Sequence, residues 1–230
     1  MDLTKLKIFY DGDNIQKYHN IPSVVGFTMN STFIKQSGFS SWRAFYEANK
    51  ELIRGRPISF QVTNDTDIEN QALLLHSFDT NIYVKVPVEN SRGESNMTVI
   101  NALLQKGVKI NITCVYTARQ IHNIFSSLTD TPTPCIVSIF AGGISDAGLD
   151  PVDTVKLAVQ QASPFKAVEI LWAGVKDNLA FRKCIETGCH ILTVPDTVMD
   201  RMNRIGLDLE EMARNKVILF NTDARSITIE

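Results

Sequence analysis

Ile82-Tyr83-Val84-Lys85-Val86-Pro87-Val88 is an apolar, β-branched run that carries one charged side chain. Apolar residues at consecutive positions leave no face for solvent. The run therefore reads as a strand buried on both sides, as strands of a helix-covered parallel sheet are. An ammonium group in such a strand costs several kcal/mol unless it is paired or gives up its proton. An unperturbed lysine, with a pKa of about 10.4, is neutral in roughly one molecule per 2,500 at pH 7, and burial raises that fraction. A neutral lysine is a nucleophile whose characteristic reaction is a Schiff base with a carbonyl. Taken alone, Lys85 is more simply a side chain that snorkels from a strand end or pairs with a carboxylate. The rest of the chain reverses that reading.

Short β-branched runs alternate with helical patterns on both sides of this strand. Strands are read at Lys7–Tyr10, Ser23–Thr28, Pro57–Val62, Asn81–Val86, Val108–Val115, Cys135–Phe140, Ala167–Trp172 and His190–Val194. Helices are read at Ser31–Gln36, Ser40–Ile53, Asp67–Ser77, Asn96–Lys106, Thr117–Leu128, Pro151–Ala162 and Asp177–Thr187. In Asn96–Lys106, Val99, Ala102 and Leu103 form the expected apolar face, and Gly107 ends the helix. Eight βα units predict an α/β chain folded as a single (β/α)8 TIM barrel domain over residues 1–230. From Met199 onward, with Leu207-Asp208-Leu209-Glu210-Glu211-Met212, one or two extra C-terminal helices are expected, covering the barrel or packing on a neighbour.

With 230 residues, 44% of them hydrophobic, the chain can bury one large core. A net charge of −2 and scattered basic residues argue against a nucleic-acid or anionic-membrane partner. No apolar stretch approaches the roughly 18 residues of a membrane span, and Met1–Lys5 does not open a signal peptide, so a cytoplasmic location is expected. Cys114, Cys135, Cys184 and Cys189 sit mostly in apolar segments, as reduced thiols do. Cys184 and Cys189 have no histidine set at zinc-site spacing, so no metal is expected.

A barrel places its working side chains at the C-terminal ends of its strands, where the βα loops meet. Those ends supply Asp11, Thr28 with Asn30, Gln61, Lys85, Asn111 with Thr113, Ser138 with Phe140, and Lys176 just beyond the seventh strand. Each has a plain structural reading: Asp11 as a helix cap, Asn30 as a turn residue, Thr113 as a strand filler. Converging on one barrel mouth with a buried lysine, they read as a site.

These residues also fall in motifs that resemble the transaldolase family, the class I Schiff-base aldolases that include transaldolase and the bacterial fructose-6-phosphate aldolase. The family's F-L-D-T-A-N appears as Phe9-Tyr10-Asp11-Gly12-Asp13-Asn14, and its G-V-T-T-N-P-S as Gly26-Phe27-Thr28-Met29-Asn30-Ser31-Thr32. The Schiff-base strand V-V-K-I-P-V appears as Tyr83-Val84-Lys85-Val86-Pro87-Val88. An N-x-T motif and an A-x-Q helix start are kept as Asn111-Ile112-Thr113 and Ala118-Arg119-Gln120. S-P-F-V-G-R-I becomes Ser138-Ile139-Phe140-Ala141-Gly142-Gly143-Ile144. Each motif is weak alone; five in order at matching spacing are specific.

The resemblance implies roles. Lys85 would form the Schiff base with a ketose carbonyl, and Asp11 would move the proton of the hydroxyl next to the breaking bond. Gln61 and Thr113 would hold the water of imine formation. Thr28, Asn30, Asn111, Ser138, Phe140 and Lys176 would bind the sugar or sugar phosphate. No cofactor is implied, the chain's length is like that of the family's short, oligomeric members, and a homo-oligomer is expected. The implied activity is transfer of a dihydroxyacetone unit from a ketose to an aldose, with free aldol cleavage as the alternative. A barrel that has lost turnover and serves as a binding protein is the reading from another class.

Departures from the motifs bear on substrate. Gly143 stands where the family has an arginine for the sugar phosphate, and Gly174 where it has a serine, which leaves Lys176. Each charge-assisted hydrogen bond to phosphate is worth roughly 1.5–3 kcal/mol, so losing two weakens a phosphate's binding by about a hundredfold or more. The two glycines are also expected to open space at the barrel mouth, unless Lys176, Ser145 and nearby backbone N–H groups rebuild an ordinary phosphate site. Gln61 matches the aldolase subgroup, and Phe140 matches transaldolases in place of the aldolases' tyrosine. An altered acceptor or donor tail is expected.

Overall fold

The computed structural model describes residues 3–228, with the side chain of Lys5 excepted. Eight strands close into a barrel in chain order: β1 Lys7–Asp11, β2 Val24–Thr28, β3 Ile58–Gln61, β4 Ile82–Pro87, β5 Ile110–Val115, β6 Cys135–Ile139, β7 Val168–Trp172 and β8 Ile191–Pro195. Every neighbouring pair is parallel, and β8 closes on β1. Each strand expected from the sequence is present to within two residues at either end.

Helices alternate with the strands: α1 Ile15–Tyr18, α2 Ser31–Gln36, α3 Trp42–Ile53, α4 Ile68–His76, α5 Met97–Gln105, α6 Ala118–Ser127, α7 Ala141–Asp146, α8 Val152–Ala162, α9 Leu179–Glu186, α10 Asp196–Met199 and α11 Leu209–Asp223. Their starts follow from side-chain caps. Ser41 accepts from the Ala44 N–H, and Thr117 with Gln120 forms a full capping box at α6. α1, α7 and α10 are a turn or two long, too short to show a period in the sequence.

The main core lies between the sheet and the helices, where both faces of the strands are dry. A second, smaller cluster of Phe9, Tyr83, Ile136, Leu171, Ala173 and Ile191 fills the barrel itself. Gly26 makes room for it: a Cβ there would lie 2.6 Å from the Phe9 ring.

Two expectations are corrected. α5 buries Met97, Ile100, Leu103 and Leu104, whereas Val99 is half-buried and Ala102 is exposed. The helix is rolled by about one position because Met97 and Leu104 extend the buried stripe in both directions. The tail forms α11, but none of its residues is buried, so it does not cover its own barrel. No helix among the described residues is long and apolar enough to cross a membrane.

Candidate active site

In a strand, residues two apart face the same side. The barrel's inner cluster therefore fixes what lies one layer above it. Phe9 is followed on the inward row by Asp11, Tyr83 by Lys85, Ile136 by Ser138 and Ile191 by Thr193, while β7 stays apolar with Ala173 after Leu171. The interior changes from apolar to polar across one layer. That polar layer, at the C-terminal ends of the strands, opens into a cavity of about 310 Å³ lined also by Thr28, Asn30, Gln61, Cys114, Phe140 and Gly174. A more apolar crevice of about 230 Å³ beside α3 and α4 shares Gln61 with it.

Lys85 is buried, and its Nζ donates to the Met29 carbonyl at 3.2 Å. Burial pushes its pKa down, and the charges of Asp11 and Cys114 oppose that shift. No carboxylate is within salt-bridge distance of it, so the pairing that would have explained a buried lysine is absent among the described residues. Asp11 keeps part of its surface open to the cavity, yet is enclosed enough that burial pushes its carboxyl up, against the pull of Lys85 and a hydrogen bond from Thr28. The Thr28 hydroxyl donates to Asp11 Oδ1 at 2.6 Å, and the Thr193 hydroxyl lies 2.6 Å from Thr28. One buried acid and one buried amine thus share a cavity, each moved towards its neutral form.

Asn30 fits both of its readings. It is the N-cap of α2, its Oδ1 accepting from the Thr32 and Phe33 N–H groups at 2.9 and 3.1 Å, and it also lines the cavity. Gln61 and Lys85 are register neighbours on β3 and β4, and both line the cavity.

Asn111 and Thr113 are placed differently from expectation. β5 runs on to Val115, so neither is at its end; both are fully buried and neither lines the cavity. Asn111 instead ties strands together, donating to Ser59 at 3.1 Å and accepting from Ser138 at 2.7 Å. The register of β5 on β6 slips between Ile112 and Val115, and Cys114 takes a positive φ of 61°. This bulge turns Cys114 into the cavity. The Thr113 hydroxyl, beside that thiol, makes no hydrogen bond of good geometry.

Lys176 does not line the cavity either. It is exposed, 2.8 Å from Asp146, and borders a smaller crevice of about 90 Å³ that meets the main cavity at Gly174. Nor do the glycines open the mouth. A Cβ on Gly143 would lie 2.5 Å from the Tyr116 ring, and one on Gly142 would lie 1.6 Å from the Gly174 carbonyl oxygen. Gly174 itself has a φ of +74°, a backbone state in which glycine is unstrained. The space is filled by Tyr116, whose ring centroid is 5.3 Å from that of Phe140.

Besides the apolar Leu171 and Ala173, two lining residues with chemistry of their own, Cys114 and Thr193, were not foreseen. Thr193 was within reach of the same two-residue counting along β8. Cys114 depends on a bulge that nothing in its neighbours announces.

The chain is similar over most of its length to known proteins. A probable transaldolase from Methanococcus maripaludis is 27% identical over 205 residues, covering 86% of this chain and 89% of the relative. One from Clostridium kluyveri is 28% identical over 208 residues, at the same coverage of both. The crystal structure of 3-hexulose-6-phosphate synthase from Salmonella typhimurium superposes with a TM-score of 0.60 at 13% identity, over 85% of this chain and 91% of that one, a likeness of fold. The family model described as transaldolase/fructose-6-phosphate aldolase matches residues 9–229, and this chain belongs to that family.

Proposed function

We propose that this protein is a Schiff-base transaldolase that moves a dihydroxyacetone unit from a ketose to an aldose. The observation that carries the reading is Lys85: buried in the cavity wall, held by one backbone carbonyl, with its pKa pushed down and Asp11 sharing the cavity. Neutral Lys85 adds to the ketose C2 carbonyl, and the carbinolamine loses water to leave an iminium. Asp11 then takes the proton of the C4 hydroxyl while the C3–C4 bond breaks; its electron pair passes into the iminium to give an enamine, and the aldehyde half departs. Addition of the acceptor aldehyde reverses these steps, Asp11 returning the proton, and water releases the product from Lys85. Gln61 orients the water, and Asn30 and Ser138 bind donor hydroxyls. Asn111, beneath the floor, holds Ser138 in place.

Free aldol cleavage is the second reading. It is favoured by Gln61 and by the phenol of Tyr116 beside Phe140. Phe140 itself offers no hydroxyl to hasten release, which favours transfer. Donor consumption with and without an acceptor aldehyde separates the two: transfer requires the acceptor, and equal rates mark an aldolase.

We also propose that the chain works as a homo-oligomer. α11 exposes Leu209, Met212, Val217, Ile218, Leu219 and Phe220. An unsupported helix of 15 residues is marginal in water, so this one needs a surface to pack on.

A further inference from the structure

We propose that the far end of the ketose is a phosphate and that Arg43 binds it, in the crevice beside α3 and α4. The inference rests on the Schiff-base reading of Lys85 and deepens it. The main cavity has no cation to spare for such a group: among its lining residues Lys85 is the one cation, and it is engaged at the ketone carbon. The crevice at Gly174 has two lysines, but Lys176 lies 2.8 Å from Asp146 and Lys183 lies 3.1 Å from both oxygens of Asp150. Asp177 lines that crevice as well, which leaves it without net positive charge. Position 143, where the motif would offer an arginine, is a glycine under the Tyr116 ring.

The crevice of about 230 Å³ that shares Gln61 with the cavity is different. Arg43 lines it, and no carboxylate does. Among the described residues Arg43 makes neither an ion pair nor a hydrogen bond. Its guanidinium lies over the Phe78 ring, 4.3 Å from the centroid, and Phe78 is in turn stacked on Tyr46. Stacking uses the flat face of the guanidinium and leaves its N–H edge for a ligand, and that edge matches two oxygens of a phosphate.

Gln61 joins the two spaces. It is the register neighbour of Lys85, and among the described residues its amide has no hydrogen-bond partner, so it can take a hydroxyl of a ketose that passes from one to the other. Ser41 adds a donor at the far end: its Oγ accepts from the Ala44 N–H at 3.1 Å, and its own proton has no acceptor among the described residues. The other polar side chains of the crevice are already engaged. The Thr63 hydroxyl donates to Gln71 Oε1 at 2.9 Å, and Gln71 Nε2 donates to Asn64 Oδ1 at 2.9 Å. Trp42, Val62, Leu75 and Phe78 make most of the rest apolar. Such walls cover the C–H groups of a carbon chain and keep out the water that would weaken the Arg43–phosphate pair.

The test is sodium borohydride trapping at subsaturating ketose with fructose 6-phosphate, fructose and dihydroxyacetone, scored as adduct on the Lys85 peptide. Each ketose is compared between wild type and Arg43→Gln, so its open-chain fraction cancels. The substitution should slow trapping of fructose 6-phosphate by about tenfold or more and change that of fructose and dihydroxyacetone by less than about twofold. Equal losses for the two hexoses, no loss for fructose 6-phosphate, or failure of the wild type to trap it while dihydroxyacetone is trapped overturns the proposal. Absence of any adduct with dihydroxyacetone would instead remove the Schiff-base reading beneath it.

Discussion

The Thr28 hydroxyl donates its single proton to Asp11 Oδ1 across 2.6 Å, and so must accept from Thr193 on its other side. When Asp11 takes up a proton the row can reverse, with Asp11 donating to Thr28 and Thr28 to Thr193. Neither protonation state leaves a buried hydroxyl without a partner, which suits a carboxyl that must act as base and then as acid.

Thr28→Val removes the hydrogen bond that lowers the Asp11 pKa, so burial then pushes that pKa up further. The base form is lost at the acid end first. Turnover should fall by roughly five- to tenfold near pH 6 and by less near pH 8, as measured in a pH–rate profile. Thr193→Val removes a donor from the ionised row and an acceptor from the protonated one, so the acid limb should move less than in Thr28→Val.

Asp11→Asn separates the two halves of the reaction. The adduct on Lys85 should still form, whereas carbon–carbon cleavage should drop by about 10²–10⁴-fold. The Asp11 charge raises the Lys85 pKa, so its removal lets burial lower that pKa further. The rate of adduct formation, which needs the neutral amine, should then reach its plateau at lower pH than in the wild type. Stopped-time trapping across a pH series reads both effects.

Gly142→Ala tests the packing of the mouth. The added carbon meets a backbone carbonyl, which cannot swing aside as a side-chain tip can. Urea unfolding should report a loss of about 1–3 kcal/mol, whereas Gly38→Ala, whose Cβ meets nothing within 4 Å but whose φ is +78°, should report only backbone strain of about 1 kcal/mol.

Val217→Glu with Phe220→Glu places charges on the exposed face of α11. Light scattering after size-exclusion chromatography should show dissociation of the wild-type oligomer to smaller species. A wild-type chain that runs as a monomer would contradict the homo-oligomer reading.

The barrel was legible because β-branched runs and helical periods alternate without interruption, and because a parallel strand leaves Lys85 nowhere to hide its charge. Asp11, Thr28, Asn30, Gln61, Ser138 and Phe140 were found from strand ends and motifs alone, and all of them line the cavity. The residues placed away from the cavity wall depend on local geometry. A bulge exchanges Cys114 for Thr113, and Asn111 lies four residues before the end of β5, one layer down. Gly143 reads as an open space in the sequence but is a contact in the fold, because Tyr116, 27 positions earlier, comes to lie on it.

Borohydride reduction in the presence of dihydroxyacetone, followed by peptide mapping, tests the central claim most directly. The account predicts one irreversible adduct, on Lys85, formed by the folded protein and absent from Lys85→Met. An adduct on any other lysine, or none on Lys85 while the fold is intact, would contradict it and leave the barrel a binding protein.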